Sequence, residues 1–175
     1  MARRDKKNIK KDFGNNIGKK KINWKILIIC LIIVFAIGAI GSIFTFGETK
    51  SSWYESIKPS ITPPNYVFPI VWNILFLLIA LSLYYSWINA NKEQKKKIGF
   101  VFGINFILNI LWSVLYFKLH NPIASFLEIV ILLASIITMI YAIKKINKKA
   151  GWLLVPYLLW VSFATILNYL TISPR

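Results

Sequence analysis

The stretch Trp53–Trp72, WYESIKPSITPPNYVFPIVW, decides how the rest of the chain is read. Long apolar runs flank it on both sides, so it belongs at a membrane surface rather than inside a membrane. Pro59, Pro63, Pro64 and Pro69 each fix one backbone dihedral and cannot donate a backbone hydrogen bond. The residues before them are pushed toward extended conformations. The loop is therefore expected to be stiff, extended and poor in regular structure. It also carries Trp53, Tyr54, Tyr66, Phe68 and Trp72, more aromatic surface than a connector needs. It reads as a lid, spanning residues 47–66, over a cavity between helices.

Working outward from the lid, the chain is 57% hydrophobic over 175 residues, too apolar for an ordinary soluble domain. The apolar residues fall in five runs of roughly membrane-spanning length, about 20 residues each. These are Ile26–Phe46, Val67–Ile88, Ile98–Leu119, Ile123–Ile143 and Trp152–Thr171. The expected fold is an all-α integral membrane bundle of five transmembrane helices over residues 26–175. The first run is too long for a cleavable secretory signal, and no small-x-small cleavage site follows it cleanly. Cys30 is the only cysteine and His120 the only histidine, so neither a disulfide framework, a zinc site nor histidine-based catalysis is expected. No cofactor or metal is expected.

The net charge of +16 suggests nucleic acid until its distribution is read. Of the 22 lysines and arginines, ten precede Ile26, four lie in Lys92–Lys97 and four in Lys144–Lys149. Lys50, Lys58, Lys118 and Arg175 are spread over the remaining segments. That alternation is the positive-inside pattern for five spans. It puts the N-terminus in the cytoplasm and the proline-rich loop and C-terminus outside, and it leaves no charge for a nucleic-acid role to explain. Residues 1–25 read as a solvated basic tail with little fixed structure, or as a polybasic segment resting on anionic lipid.

Within the spans, small residues Ala36, Gly38, Ala39, Gly41 and Ser42 mark a packing face on the first helix, toward the other helices or a second copy. Trp72, Phe76, Ile79 and Leu83 share one face of the second. Trp72 fits either a pocket wall or an interfacial anchor. In the third, Asn105, Asn109, Trp112, Ser113 and Tyr116 form one stripe, either interhelical glue or a polar strip in a ligand cavity. Glu128 is the one acidic residue well inside a run, a functional candidate or a carboxylate near the outer interface, neutralised or hydrogen-bonded to a neighbouring helix. In the fifth, Pro156 marks a kink or a late start. Beyond it, Trp160, Phe163, Ala164, Leu167 and Asn168 share a face that fits a flat apolar molecule or ordinary packing.

Assembled, these residues resemble the translocator protein family, also known as tryptophan-rich sensory proteins or peripheral benzodiazepine receptors. Trp53, Tyr54, Lys58, Pro59, Pro63 and Pro64 match the family's first loop, and Trp72 the tryptophan opening its second helix. Leu108, Asn109, Trp112 and Ser113 match its L-N-x-x-W-S segment. PYLLWVSFATILNY, from Pro156 to Tyr169, matches its fifth helix, and Glu128 falls where members commonly carry an acidic residue. Ile61 stands where many members have a further tryptophan, and Pro69 where a glycine is common. Leu167, Tyr169 and Arg175 fit the loose cholesterol-contact pattern, which carries no weight alone.

The resemblance implies a five-helix bundle, often a homodimer, that binds porphyrins and also sterols and benzodiazepine-type ligands in a pocket at its outer end. By matched position Tyr54, Pro63, Trp72, Phe76, Asn109, Trp112, Ser113, Trp160 and Ala164 would line it. Trp53, Pro64, Asn105, Phe163 and Leu167 join them from the helical faces and the loop. The resemblance implies a role in sensing, transport or handling. Light- or oxygen-dependent porphyrin degradation and lipid or sterol transport are the alternatives. The Lys-, Ile- and Asn-rich composition is compatible with a bacterial plasma membrane.

Overall fold

The computed structural model describes residues 22–172; the basic tail through residue 21 and the last three residues, including Arg175, lie outside the described residues. Among the described residues every element is helical. Five helical segments are long and apolar enough to cross a membrane: Trp24–Lys50, Val67–Asn89, Lys92–Lys118, Pro122–Lys144 and Lys148–Ile172. They form the expected all-α bundle.

Helix α1 (Trp24–Thr45) starts two residues before its apolar run, because the Asn23 side chain caps it by accepting from the Ile26 N–H. The Asn23 N–H donates to the Tyr84 hydroxyl at 3.0 Å, which ties this end to the end of α3. A 3-10 turn (Glu48–Lys50) and a short helix α2 (Ser52–Ile57) lead into the proline segment. Helix α3 (Val67–Asn89) follows, then α4 (Lys92–Ser113), which opens on a capping box between Asn91 and Gln94. Helix α4 runs on into a π-helical turn, Val114–Lys118. Helix α5 (Pro122–Lys144) has Pro122 in its first turn and an Asn121 cap. The fifth span is broken into α6 (Lys148–Trp152) and α7 (Val155–Ile172), so Pro156 marks a late start.

The lid is more regular than its prolines suggest. The first proline is Pro59, and before it the chain is free to coil. Ser51 accepts from the Tyr54 N–H at 3.2 Å, and the Lys58 N–H closes α2 onto the Tyr54 carbonyl at 2.9 Å. After α2 the chain lacks helix from Lys58 to Tyr66. Position-specific capping outweighed the proline count of the whole loop.

Burial is arranged inside out. Ile32, Ile43, Leu127 and Leu159 are each more than 60% exposed, yet apolar, on the outside of the bundle. A helix apolar on all sides belongs in lipid. The centre holds Val34, Ile79, Phe102, Ile136, Met139 and Tyr157. Of the small residues of α1, Gly38 and Gly41 are used within the chain. A side chain at Gly38 would overlap the Phe76 ring of α3, and one at Gly41 would meet Ser113 of α4 at 3.7 Å. Ala36, Ala39 and Ser42 stay on the outer surface.

Polar side chains tie α4, α5 and α7 together. Asn105 donates to Ser135 Oγ at 2.9 Å and accepts from the Tyr157 hydroxyl at 3.3 Å. Asn109 donates to the same hydroxyl at 3.1 Å. Trp112 Nε1 donates to Asn168 Oδ1 at 3.0 Å, and Asn168 Nδ2 donates to the Pro122 carbonyl at 3.0 Å. Each bond of this kind contributes about 0.6–2 kcal/mol in lipid. Apart from Lys50, Lys58 and Lys118, the described lysines gather at the opposite end from the lid, where Lys95 lies over the Trp87 ring and Lys144 over Trp152.

Candidate functional site

Aromatic side chains cluster wherever the lid meets the helices. Trp53 and Tyr54 of α2 pack with Trp112, Tyr116 and Phe117 as one group. Trp53 meets Tyr116 edge-on at 5.6 Å, and Tyr54 meets Phe117 at 5.9 Å. Trp112 stacks on Tyr116 at 5.1 Å with 16° between the planes. Burial first, then the neighbouring Glu55, push the Tyr54 phenol above its ordinary range.

Two further groups continue inward. Trp72 lies 5.3 Å from Phe76 and 6.1 Å from Tyr157, joining α3 to α7. Phe68 at the start of α3 meets Trp160 edge-on at 5.8 Å, and Trp160 meets Phe163 at 5.7 Å. Trp160 and Phe163 also border an open groove of about 420 Å³ between α3 and α7, floored by Val71, Leu75 and Pro156. Its wall is almost wholly apolar. The arrangement offers flat hydrocarbon faces and few polar groups, which suits binding of a flat apolar molecule.

The predicted residues separate by location. Trp53, Tyr54 and Trp112 meet under the lid, Trp72 and Phe76 meet on α3, and Trp160 and Phe163 meet on α7. Asn105 is enclosed and already bonded on both sides, as interhelical glue. Asn109 is half-buried, with its amide on Tyr157. Ser113 and Leu167 are buried, Ala164 and Pro63 are half-buried, and Pro64 is exposed. Glu128 is enclosed, and neither carboxylate oxygen has a hydrogen-bond partner among the described residues. Among those residues no three His, Cys, Asp or Glu side chains come together as metal ligands.

Sequence reasoning left out Phe117 and Tyr157, and it named Phe68 and His120 without giving them a place in the site. Phe117 lies five residues after Trp112, off the ordinary helical stripe; the π turn at Val114–Lys118 brings it round to Trp112 at 5.8 Å. Tyr157 carried a signal in its place beside Pro156, at the centre of the polar stripe's bonds.

The pattern of the TspO/MBR family matches residues 29–172, which takes in most of the first membrane-length segment, the other four whole, and the loop at 47–66. The chain belongs to that family. It is 38% identical over 146 residues to the tryptophan-rich protein TspO of Chlorobaculum tepidum, covering 82% of this chain and 91% of that one. With the TspO of Archaeoglobus fulgidus the identity is 39% over 145 residues, covering 82% and 92%. The translocator protein of Ovis aries is 28% identical over 136 residues, covering 75% and 79%. The chain is therefore an integral membrane protein of the TspO/MBR family.

Proposed function

We propose that the chain binds porphyrins beneath its lid, and sterols or benzodiazepine-type ligands at the same place, in a receptor or transport role. The observation that carries the reading is the set of three aromatic groups along the lid half of the bundle. These are Trp53 and Tyr54 from the lid, Trp112, Tyr116 and Phe117 from the end of α4, and Trp72, Trp160 and Phe163 from α3 and α7. A porphyrin is broad, flat and largely apolar, so ring faces supply contact area while a few polar groups orient it. The names of the relatives, tryptophan-rich protein TspO and translocator protein, support a membrane receptor or carrier. The lysine end faces the cytoplasm, the lid faces outward, and the protein works as a homodimer.

Protoporphyrin IX is expected to quench tryptophan fluorescence saturably, and the Trp72→Phe, Trp160→Phe double variant is expected to lose most of that quenching. Quenching unchanged in the double variant overturns the site; quenching absent from the wild type overturns the ligand.

A further inference from the structure

His120 is the one histidine in the chain, and ligand binding as argued above gives it no part. It sits in the connection between the π turn and α5 with a φ of 48°, a backbone that residues other than glycine rarely adopt. From there its ring stacks on Trp53 of α2, with centroids 4.2 Å apart and 25° between planes. Its Nε2 lies 3.2 Å from Glu48 Oε2, in the turn after α1. Glu48 and Trp53, both in the lid, thus meet at one imidazole that lies 72 residues after Glu48, and Trp53 passes the contact inward to Tyr116. This is the rim where the lid joins the bundle.

We propose that His120 is the lid-positioning residue: its ring holds α2 down over the aromatic cluster and sets how fast a bound ligand leaves. The inference rests on the ligand reading above. An imidazole changes charge between about pH 5 and 8. Protonated, it attracts the Glu48 carboxylate and lies as a cation on the Trp53 face. Neutral, it keeps only a hydrogen bond and the stack. The other charged groups on these segments are Lys50 in the turn of Glu48, Glu55 on α2 and Lys58 just after it, which pair at 3.2 Å, and Lys118. His120 and Glu48 are both partly exposed, and exposed pairs are weak, so the effect on release is about two- to fivefold.

The test uses the full chain in lipid nanodiscs. Release of protoporphyrin IX into excess empty vesicles is timed at about pH 5.5 and about pH 8, bracketing the imidazole range. Hydrogen exchange of the lid amides is followed at both values without ligand. His120→Asn tolerates the left-handed backbone but loses the ring and its charge. His120→Arg keeps a permanent cation able to lie on Trp53. Wild type is expected to release more slowly, and to protect its lid more, at the lower pH. His120→Asn is expected to be fast and less protected at both values, and His120→Arg slow at both. Release and lid protection that follow the same pH profile in wild type and His120→Asn overturn the assignment. If porphyrin does not bind at all, the ligand reading fails, and lid exchange alone still decides the role of His120.

Discussion

Replacing Gly38 with valine is expected to destabilise the bundle by about 1–3 kcal/mol, the usual cost of overpacking a filled interior. The contact explains why. A Cβ at this position would lie 2.7 and 2.9 Å from two carbons of the Phe76 ring, closer than real Cβ atoms come. Phe76 cannot swing aside freely, since it packs against Trp72 at 5.3 Å and Phe35 at 6.0 Å. Helices α1 and α3 must therefore separate or Phe76 must leave its place, and either change disturbs the ring that Trp72 leans on. Thermal unfolding in detergent should show a lower melting temperature, and porphyrin affinity should fall with it. Gly103→Ala is the control, because a Cβ there meets nothing within 4 Å. Equal melting temperatures for Gly38→Val and wild type would show that α1 and α3 do not pack as described.

The second large effect is expected at Asn168. Its amide accepts from Trp112 Nε1 and donates to the Pro122 carbonyl, each at 3.0 Å, and so holds α4, α5 and α7 together at the lid end. Asn168→Leu leaves the partly buried indole N–H without its acceptor, a cost of about 1–3 kcal/mol. Trp112 stacks on Tyr116, so loss of that bond also loosens the cluster beneath the lid. Adding Trp112→His or Trp112→Phe in the same background separates the causes: Phe removes the orphaned donor, so the double loss should be smaller than the sum of the two single losses. Strict additivity in melting temperature would mean that the two side chains do not interact.

The membrane architecture was legible because lipid imposes it so strictly. Each span needs a long apolar run, and the alternation of lysine blocks supplies the ends. Pro156 signalled the late start of α7, and Pro122 sits in the first turn of α5. Local conformation was less legible. Helix α2 depends on one Ser51 cap in a loop whose proline content pointed elsewhere. The π turn cannot be seen from a 3.6-residue period, so Phe117 was missed while Tyr116, four residues from Trp112, was found on the stripe. The polar stripe was visible, but its partners Ser135 and Tyr157 lie on other helices at separations that spacing within one helix does not report. The small residues of α1 carried two meanings, and the packing of Phe76 and Ser113 against Gly38 and Gly41 places only those two glycines within the chain.

The most direct test of the account is a titration of purified, detergent-solubilised protein with protoporphyrin IX, with absorbance followed in the dark and then under light. The account predicts saturable binding with a spectrum that holds steady in both conditions. Absence of saturable binding would contradict it. Light-dependent bleaching of the bound pigment to a defined product would replace the carrier or receptor reading with porphyrin degradation at the same site.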